Sequence, residues 1–182
     1  MITQVAKWVF SISGWSFKGN TTLPNKCILI AAPHTSNWDF VIGIIARFAI
    51  GYRINFIGKH QLFHPLWGWF FRSLGGAPVD RRKNNNLVDA TVHLFNTEPN
   101  FKLVLAPEGT RSEVTRWKTG CYHIAHQANI PIIRVGFDFA NKQIVLAEPF
   151  TATGDIEQDM PLLLEFYRQI NGKYPKEIPN SP

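Results

Sequence analysis

Short, continuous apolar runs are the feature that most constrains the fold of this chain. The run CILIAA at positions 27–32 has no polar side chain, and KLVLA at 102–106 has one. Runs of this kind are typical of strands buried on both faces of a parallel sheet. They alternate along the chain with segments whose apolar residues recur at helical spacing. The pattern predicts strands at 27–32, 54–57, 77–79, 102–106, 132–139 and 143–147, and helices at 2–12, 37–49, 65–74, 87–95, 120–128 and 161–170.

This alternation predicts a single α/β domain over residues 1–182, with a mostly parallel central sheet flanked by helices. The last two strands are close enough in sequence to form a hairpin. Residues 172–182 are expected to be a C-terminal tail. Because sites in such sheets gather beyond the carboxyl ends of the strands, we expect the functional residues in the loops after 27–32 and 102–106.

The composition excludes several classes of protein. Two cysteines, Cys27 and Cys121, stand in apolar surroundings, which argues against a disulfide scaffold and fits a reducing compartment. No apolar stretch reaches the roughly 18 residues that a membrane span requires. Nineteen Lys and Arg against thirteen Asp and Glu give a net charge of +6, and 13% of the residues are aromatic. This combination suggests an anionic partner, and the lack of a recognition motif or basic helical stripe favours a membrane surface over nucleic acid.

The N-terminal segment, residues 1–17, has two interpretations. Its apolar residues have helical spacing over 2–12, and Trp8, Phe10, Trp15 and Phe17 widen the apolar face. One interpretation is a helix packed on the body of the domain. The other is an interfacial helix whose aromatic side chains lie at the depth of lipid headgroups. The segment has no clear cleavage site, so we expect it to belong to the mature protein.

The first candidate for chemistry is the sequence HTSNWD at 34–39. Ser36 is a candidate N-cap, which places Asp39 at the third helical position, as in a capping box. His34 then lies outside the helix and can fold back, so that Asp39 accepts from the imidazole Nδ1–H. This leaves Nε2 free to take a proton from a hydroxyl. The alternative is that Asp39 only favours the helix dipole and His34 is an ordinary loop residue.

The second candidate is PEGTRS at 107–112, directly after a predicted strand. Gly109 permits a tight turn, Thr110 and Ser112 supply hydroxyls, and Arg111 offers a planar guanidinium for a phosphate. Glu108 orients either the arginine or the loop backbone. The spacing does not match a P-loop. A polar surface loop with an Arg–Glu pair is the alternative.

Other cations stand at predicted strand or loop ends, where they can converge on one anionic group. They are Lys59, Arg81 in the run DRRK, and Lys118. A solvated turn is the alternative for the charge run. No metal site is predicted, because the histidine pairs at 60/64 and 123/126 lack Cys or acidic partners at zinc-like spacing.

Taken together and in order, these segments resemble the glycerolipid acyltransferase family, whose members include 1-acylglycerol-3-phosphate (lysophosphatidate) acyltransferases. The His-x₄-Asp block of that family is similar to 34–39, and its second block to GKHQLF at 58–63 together with 75–81. Its third block matches EGTRS at 108–112. KTG at 118–120 and IPIIRV at 130–135 fall where the family has a Lys-x-Gly step and a fourth block. The likeness extends from about residue 15 to residue 150.

The resemblance implies a glycerol-phosphate acyltransferase-like fold and a reaction without metal or cofactor. A fatty acyl group would pass from a thioester on CoA or acyl carrier protein to the hydroxyl of a lysophospholipid, with lysophosphatidate the leading acceptor. His34 is then the general base and Asp39 its orienting partner. The implied substrate-binding residues are Lys59, Arg81, Glu108, Gly109, Thr110, Arg111, Ser112 and Lys118. Two alternatives remain: acylation of another polar lyso-lipid, such as a lyso-aminolipid, and a non-catalytic module that binds anionic lipid.

Three departures from the family pattern bear on these roles. Pro33 stands before the histidine, where the family usually has Asn or His. Arg134 replaces the second proline of the fourth block, which puts a cation near the acyl-binding wall or turns it towards an acidic neighbour. The chain lacks the long N-terminal helices of many relatives, so residues 2–17 and 67–71 must supply the membrane contact. We expect a cytoplasmic protein, peripheral on the inner face of the membrane, whose binding to anionic lipid weakens with salt.

Overall fold

The structure is a computed structural model that describes residues 1–79 and 85–180, apart from the side chains of residues 59, 60, 62, 79, 85 and 86. Within these residues the chain forms a seven-stranded sheet in the order β1-β7-β6-β2-β5-β3-β4. Its neighbouring strands are parallel, except for the antiparallel pair β6 and β7. The predicted mostly parallel α/β sheet with a terminal hairpin is therefore confirmed. The strands are β1 (Ser16–Lys18), β2 (Lys26–Ala32), β3 (Asn55–Lys59), β4 (Gly76–Val79), β5 (Phe101–Leu105), β6 (Ile132–Asp138) and β7 (Gln143–Leu146).

Helices cover the sheet on both faces. They are α1 (Ile2–Ile12), α2 (Asn37–Ile50), α3 (Gly68–Ser73), α4 (Asn85–Thr97), α5 (Gly120–Gln127) and α6 (Ile156–Glu165), with 3₁₀ turns at His60–Phe63 and Phe166–Gln169. One apolar core lies between the sheet and helices α4, α5 and α6, and a second lies on the α1 and α2 side. The central strand β2 serves both, since Ile28 and Ile30 belong to the first core and Cys27 and Leu29 to the second. The apolar run at 27–32 thus has the two-sided burial that its composition predicts.

Three elements differ from the prediction. Strand β1 was not predicted, because its three residues form no apolar run; it pairs with β7 at the edge of the sheet. The predicted helix at 65–74 begins only at Gly68 and is preceded by a turn. The last helix begins at Ile156 rather than at Pro161, because the Asp155 side chain accepts from the N–H groups of Glu157 and Gln158 and caps a turn that precedes the proline.

Candidate active site

The loop between β2 and α2 holds His34 against Asp39 at the carboxyl edge of the sheet. The Ser36 side chain caps α2 by accepting from Trp38 N–H, and Asp39 accepts from the Ser36 N–H, which completes the predicted capping box. Because His34 precedes the cap, its imidazole lies over the first turn, with Nδ1 2.9 Å from Asp39 Oδ2. The His34 side chain is 26% exposed, whereas Asp39 is buried. The expected contact is present, and it leaves Nε2 available for chemistry.

The Asp39 carboxylate is held by the backbone as well as by the imidazole. Its Oδ2 accepts from the N–H groups of Thr35 at 2.7 Å and Ser36 at 2.8 Å, in addition to its contact with His34. Its Oδ1 is buried and has no hydrogen-bond partner among the described residues. The carboxylate is therefore oriented even before the imidazole is considered, and it presents one fixed acceptor to Nδ1–H.

Glu108 contacts the histidine loop rather than the neighbouring arginine. The Glu108 side chain is fully buried, and its Oε1 accepts from the His34 backbone N–H at 3.0 Å. Burial raises the pKa of this carboxyl, and its hydrogen bonds with Lys176 and with the His34 N–H act in the opposite direction. Of the two roles predicted for Glu108, orienting the arginine and orienting loop backbone, the structure shows the second, and the backbone is that of His34.

Lys176 is the residue at this site that the sequence analysis missed. Its ammonium forms an ion pair with Glu108 Oε2 and lies 3.2 Å from the His34 carbonyl oxygen and 3.3 Å from that of Thr110. The side chain is only 3% exposed. It stands in the segment expected to be a plain C-terminal tail, and no pattern in that segment distinguishes Lys176 from Lys173.

Of the other predicted site residues, those at 109–112 and 118 are described by the structure and the side chains of two cations are not. Gly109 has a left-handed φ of 64°, and a Cβ built there would lie 3.3 Å from the end of the Lys118 side chain. Lys118 is therefore adjacent to the 107–112 loop, in which Thr110, Arg111 and Ser112 are exposed. Arg81 lies outside the described residues. So does the side chain of Lys59, whose backbone ends β3.

An apolar cavity of about 220 Å³ lies between α2 and the sheet, and His34 and Asp39 are part of its lining. The face of α2 that lines it includes Phe40, Gly43 and Arg47, and the sheet contributes side chains from β2, β5, β6 and β7. Helix α2 lines the cavity from Asp39 to Ile50, a length of about 16 Å at 1.5 Å per residue. The imidazole thus stands at one end of a long apolar space.

Arg134 points away from this cavity. Its neighbours Ile133 and Val135 belong to the core on the α2 side, whereas the Arg134 guanidinium lies over the rings of Phe150 and Phe166, at 5.8 Å and 5.4 Å from their centres. Its Nη1 donates to the Leu162 carbonyl at 3.3 Å. Arg134 does not line the cavity, and within the described residues it forms no ion pair with the predicted acidic neighbour. Alternation of side chains along β6 puts residue 134 on the opposite face of the sheet, where aromatic rings receive the cation.

The described residues contain no group of three or more His, Cys, Asp or Glu that could hold a metal ion. Cys27 and Cys121 are free and buried. Burial raises the pKa of Cys27 to about 12 and that of Cys121 to about 11, so both thiols are protonated at neutral pH. They are core residues rather than nucleophiles.

The fold is shared with a solved acyltransferase. The chain superposes on the crystal structure of the 1-acyl-sn-glycerophosphate (LPA) acyltransferase PlsC from Thermotoga maritima with a TM-score of 0.64. The match covers 92% of this chain and 76% of that one, at 19% sequence identity. The sheet, its covering helices and their order therefore define an α/β protein of the acyltransferase fold.

Sequence comparison gives the family. The family model described as Acyltransferase matches residues 15–138, and the chain belongs to this family. Among similar relatives, the 1-acyl-sn-glycerol-3-phosphate acyltransferase of Saccharomyces cerevisiae is 34% identical over 125 residues, and that of Streptococcus pneumoniae is 28% identical over 134 residues. The matches cover 64% and 68% of this chain but 40% and 49% of the relatives. The chain thus spans less than half the length of these relatives.

Proposed function

We propose that this protein transfers a fatty acyl group from a thioester, on CoA or acyl carrier protein, to the hydroxyl of 1-acylglycerol-3-phosphate. The proposal is supported by the family membership and by the names of the relatives. The observation that carries it is the position of His34, whose imidazole is oriented by Asp39 and lines one end of an apolar cavity. A base beside a space suited to an alkyl chain is what acyl transfer to a hydroxyl requires.

The chemistry follows from the orientation of the imidazole. With Nδ1–H directed at Asp39, Nε2 takes the proton from the acceptor hydroxyl as the oxygen attacks the thioester carbonyl. The new C–O bond gives a tetrahedral intermediate, which collapses by breaking the C–S bond. The departing thiolate then receives the proton from the imidazolium, so the base is regenerated. General-base catalysis of this kind contributes about 10²- to 10⁴-fold in rate.

The apolar cavity is our proposed site for the acyl chain. An extended chain advances less than its bond length of about 1.5 Å per carbon–carbon bond, so about 16 Å of cavity requires a dozen or more carbons. Gly43 lies on the wall of this cavity and, lacking a side chain, leaves room that a large side chain would fill. We therefore propose that long acyl chains are accepted and that Gly43 helps to set their length.

The acceptor phosphate is proposed to bind at the exposed 107–112 loop. Arg111 and Lys118 are two exposed cations on or beside this loop, which is joined to His34 through Glu108. Arg81 and Lys59 stay predicted ligands of the same phosphate. An arginine fork and an ammonium suit a phosphate monoester better than a neutral headgroup.

The test is acyl transfer from acyl-CoA and acyl carrier protein to a panel of lyso-lipids, with His34→Ala and the matched control His123→Ala, an exposed histidine on α5. We expect transfer to lysophosphatidate that His34→Ala abolishes and His123→Ala leaves intact. Transfer only to an acceptor without phosphate would overturn the roles of Arg111 and Lys118. If neither donor supports transfer while lipid vesicles are bound, the non-catalytic module is the better account.

We also propose that the protein works at an anionic membrane surface. No helix in the described part of the chain is long and apolar enough to cross a membrane. On helix α1, Phe10 is buried against the body, while Ile2, Val5, Trp8 and Ile12 form an exposed apolar stripe that supports the interfacial interpretation. Trp67, Trp69 and Phe70 are exposed as well. Apolar stripes of this kind, with a net charge of +6, suit insertion among anionic headgroups.

A further inference from the structure

The C-terminal segment, residues 170–180, crosses the carboxyl edge of the sheet beside the loops that carry His34 and Glu108. It is anchored before Lys176, where the Phe139 N–H donates to the Asn171 carbonyl at 2.8 Å and Tyr174 N–H contacts Thr35 Oγ1 at 3.4 Å. It is anchored after Lys176 as well, because Ile178 packs against the apolar core. The segment is therefore held on both sides of the lysine.

The Lys176 ammonium joins the two loops of the candidate site. An ammonium has three donors, and here three acceptors surround it: Glu108 Oε2, the His34 carbonyl and the Thr110 carbonyl. Both charged side chains are withdrawn from solvent, with exposures of 3% for Lys176 and 0% for Glu108. Because a buried ion pair is costly to break, the positions of the two loops are coupled through this one side chain.

The contact reaches the base through the backbone. Glu108 accepts from the His34 N–H while Lys176 lies within hydrogen-bond distance of the His34 carbonyl, so both peptide groups of His34 are held. Within the described residues, the charged groups that contact His34 are Asp39 at its imidazole, Glu108 at its N–H and Lys176 at its carbonyl. Without the ammonium, the buried Glu108 carboxylate would stand near the imidazole with no balancing charge.

We propose that Lys176 is a positioning residue for acyl transfer: it fixes the backbone of His34 against the 107–112 loop and balances the charge of Glu108. The inference rests on the proposed function and adds to it a residue from outside the segment matched by the family model, which ends at residue 138. Lys176 touches no reacting atom in this scheme. It acts through Glu108 and through the main chain of His34.

The test compares Lys176→Met with Lys176→Arg and with Lys173→Met. Lys173 is the matched control, an exposed lysine of the same segment whose ammonium lies over the Trp38 ring at 5.0 Å. We expect Lys176→Met to lower kcat by about 10²-fold with KM changed little, since small displacements of a catalytic base have effects of this size. Lys176→Arg should recover part of the lost kcat, and the kcat of Lys173→Met should stay within about threefold of that of the parent protein.

The pH profile separates positioning from simple loss of structure. Removal of the ammonium raises the proton affinity of the site, whether His34 or Glu108 takes the proton. The acid limb of kcat/KM should therefore move to higher pH in Lys176→Met and return in Lys176→Arg. An acid limb identical to that of Lys173→Met, or an unchanged kcat, would overturn the proposal.

Two further measurements keep the inference testable. If Lys176→Met does not fold, as judged by circular dichroism, the neutral pair Glu108→Gln with Lys176→Met replaces it, and a kcat equal to that of the parent would count against positioning. If the parent shows no acyl transfer at all, the proposed function fails first. The inference is then judged by the NMR resonance of the His34 backbone amide, which should shift in Lys176→Met and stay in place in Lys173→Met; an unshifted resonance in Lys176→Met refutes it.

Discussion

Replacing Asp39 by Asn removes the charge of the His34–Asp39 pair without inverting the imidazole. The N–H groups of Thr35 and Ser36 both point at Oδ2, at 2.7 Å and 2.8 Å. An Asn side chain must place its amide oxygen there, because its NH₂ would otherwise face two donors. The His34 Nδ1–H therefore keeps its acceptor, and Nε2 keeps its lone pair for the hydroxyl.

The magnitude of the effect follows from the change of acceptor. A hydrogen bond to a charged group contributes about 1.5–3 kcal/mol and a neutral one about 0.5–1.5 kcal/mol. The imidazolium formed during acyl transfer thus loses about 1–2 kcal/mol of stabilisation, which lowers kcat by about 5- to 30-fold. An Asp-to-Asn change that does impose the wrong tautomer costs about 10⁴-fold. The free energy of unfolding should also fall by about 1–3 kcal/mol, because the two backbone N–H groups then donate to a neutral acceptor instead of a carboxylate.

The assay is steady-state acyl transfer by Asp39→Asn beside Asp39→Ala, with urea unfolding of each variant. Asp39→Ala removes the acceptor of His34 together with those of two backbone N–H groups, so it should lose more activity and more stability than Asp39→Asn. A loss near 10⁴-fold in Asp39→Asn would refute the argument that the backbone dictates the amide orientation. An unchanged kcat would show that Asp39 serves only the helix cap.

Three other predictions follow from the cavity, the core and the surface. Gly43→Leu should shift preference towards shorter acyl chains in a series of acyl-CoA donors. Gly43→Ala should change this preference little, because its Cβ would meet only the Phe137 ring at 3.4 Å. Equal preference in both variants would contradict the assignment of Gly43 to the cavity wall. The free energy of unfolding should fall as pH rises above 9, because Cys27 stays protonated in the folded state up to a pKa of about 12 while its unfolded thiol ionises near 9. The loss is about 1.4 kcal/mol per pH unit. Urea unfolding from pH 8 to 11 should show a shallower decline in Cys27→Ala than in the parent protein. Trp8→Glu should weaken binding to anionic vesicles far more than Gln4→Glu, which makes the same charge change on α1. Equal losses of binding in a vesicle sedimentation assay would show that charge alone matters.

Local geometry explains which parts of the site were predictable from the sequence. The capping box and the His34–Asp39 contact lie within six residues, so the chemistry of one helix terminus fixes both. Burial of the run at 27–32 likewise follows from its composition. The contact between Lys176 and Glu108 joins residues 68 positions apart, and nothing in the C-terminal segment encodes its partner.

Arg134 illustrates a different limit. The resemblance placed it by family block, either beside the acyl-binding wall or turned towards an acidic neighbour, whereas the alternation along β6 places it on the sheet face opposite the cavity. The two-residue period of a strand predicts the face of Arg134, but only once Ile133 and Val135 are assigned to the face towards α2. Likewise, α6 begins after Asp155, a residue type common at helix N-caps, whereas the prediction began this helix at Pro161 because proline is common in the first turn.

The two-faced arrangement of the central strands has a consequence for evolution. In β6, Val135 and Phe137 line the cavity, whereas Ile132 and Arg134 face helices on the far side of the sheet. Substitutions at Val135 and Phe137 can thus alter the lining of the cavity without changing the side chains that pack against helices on the far side of the sheet. The proposed acyl site and the core around α4, α5 and α6 can therefore change separately, although neighbouring residues of one strand contribute to both.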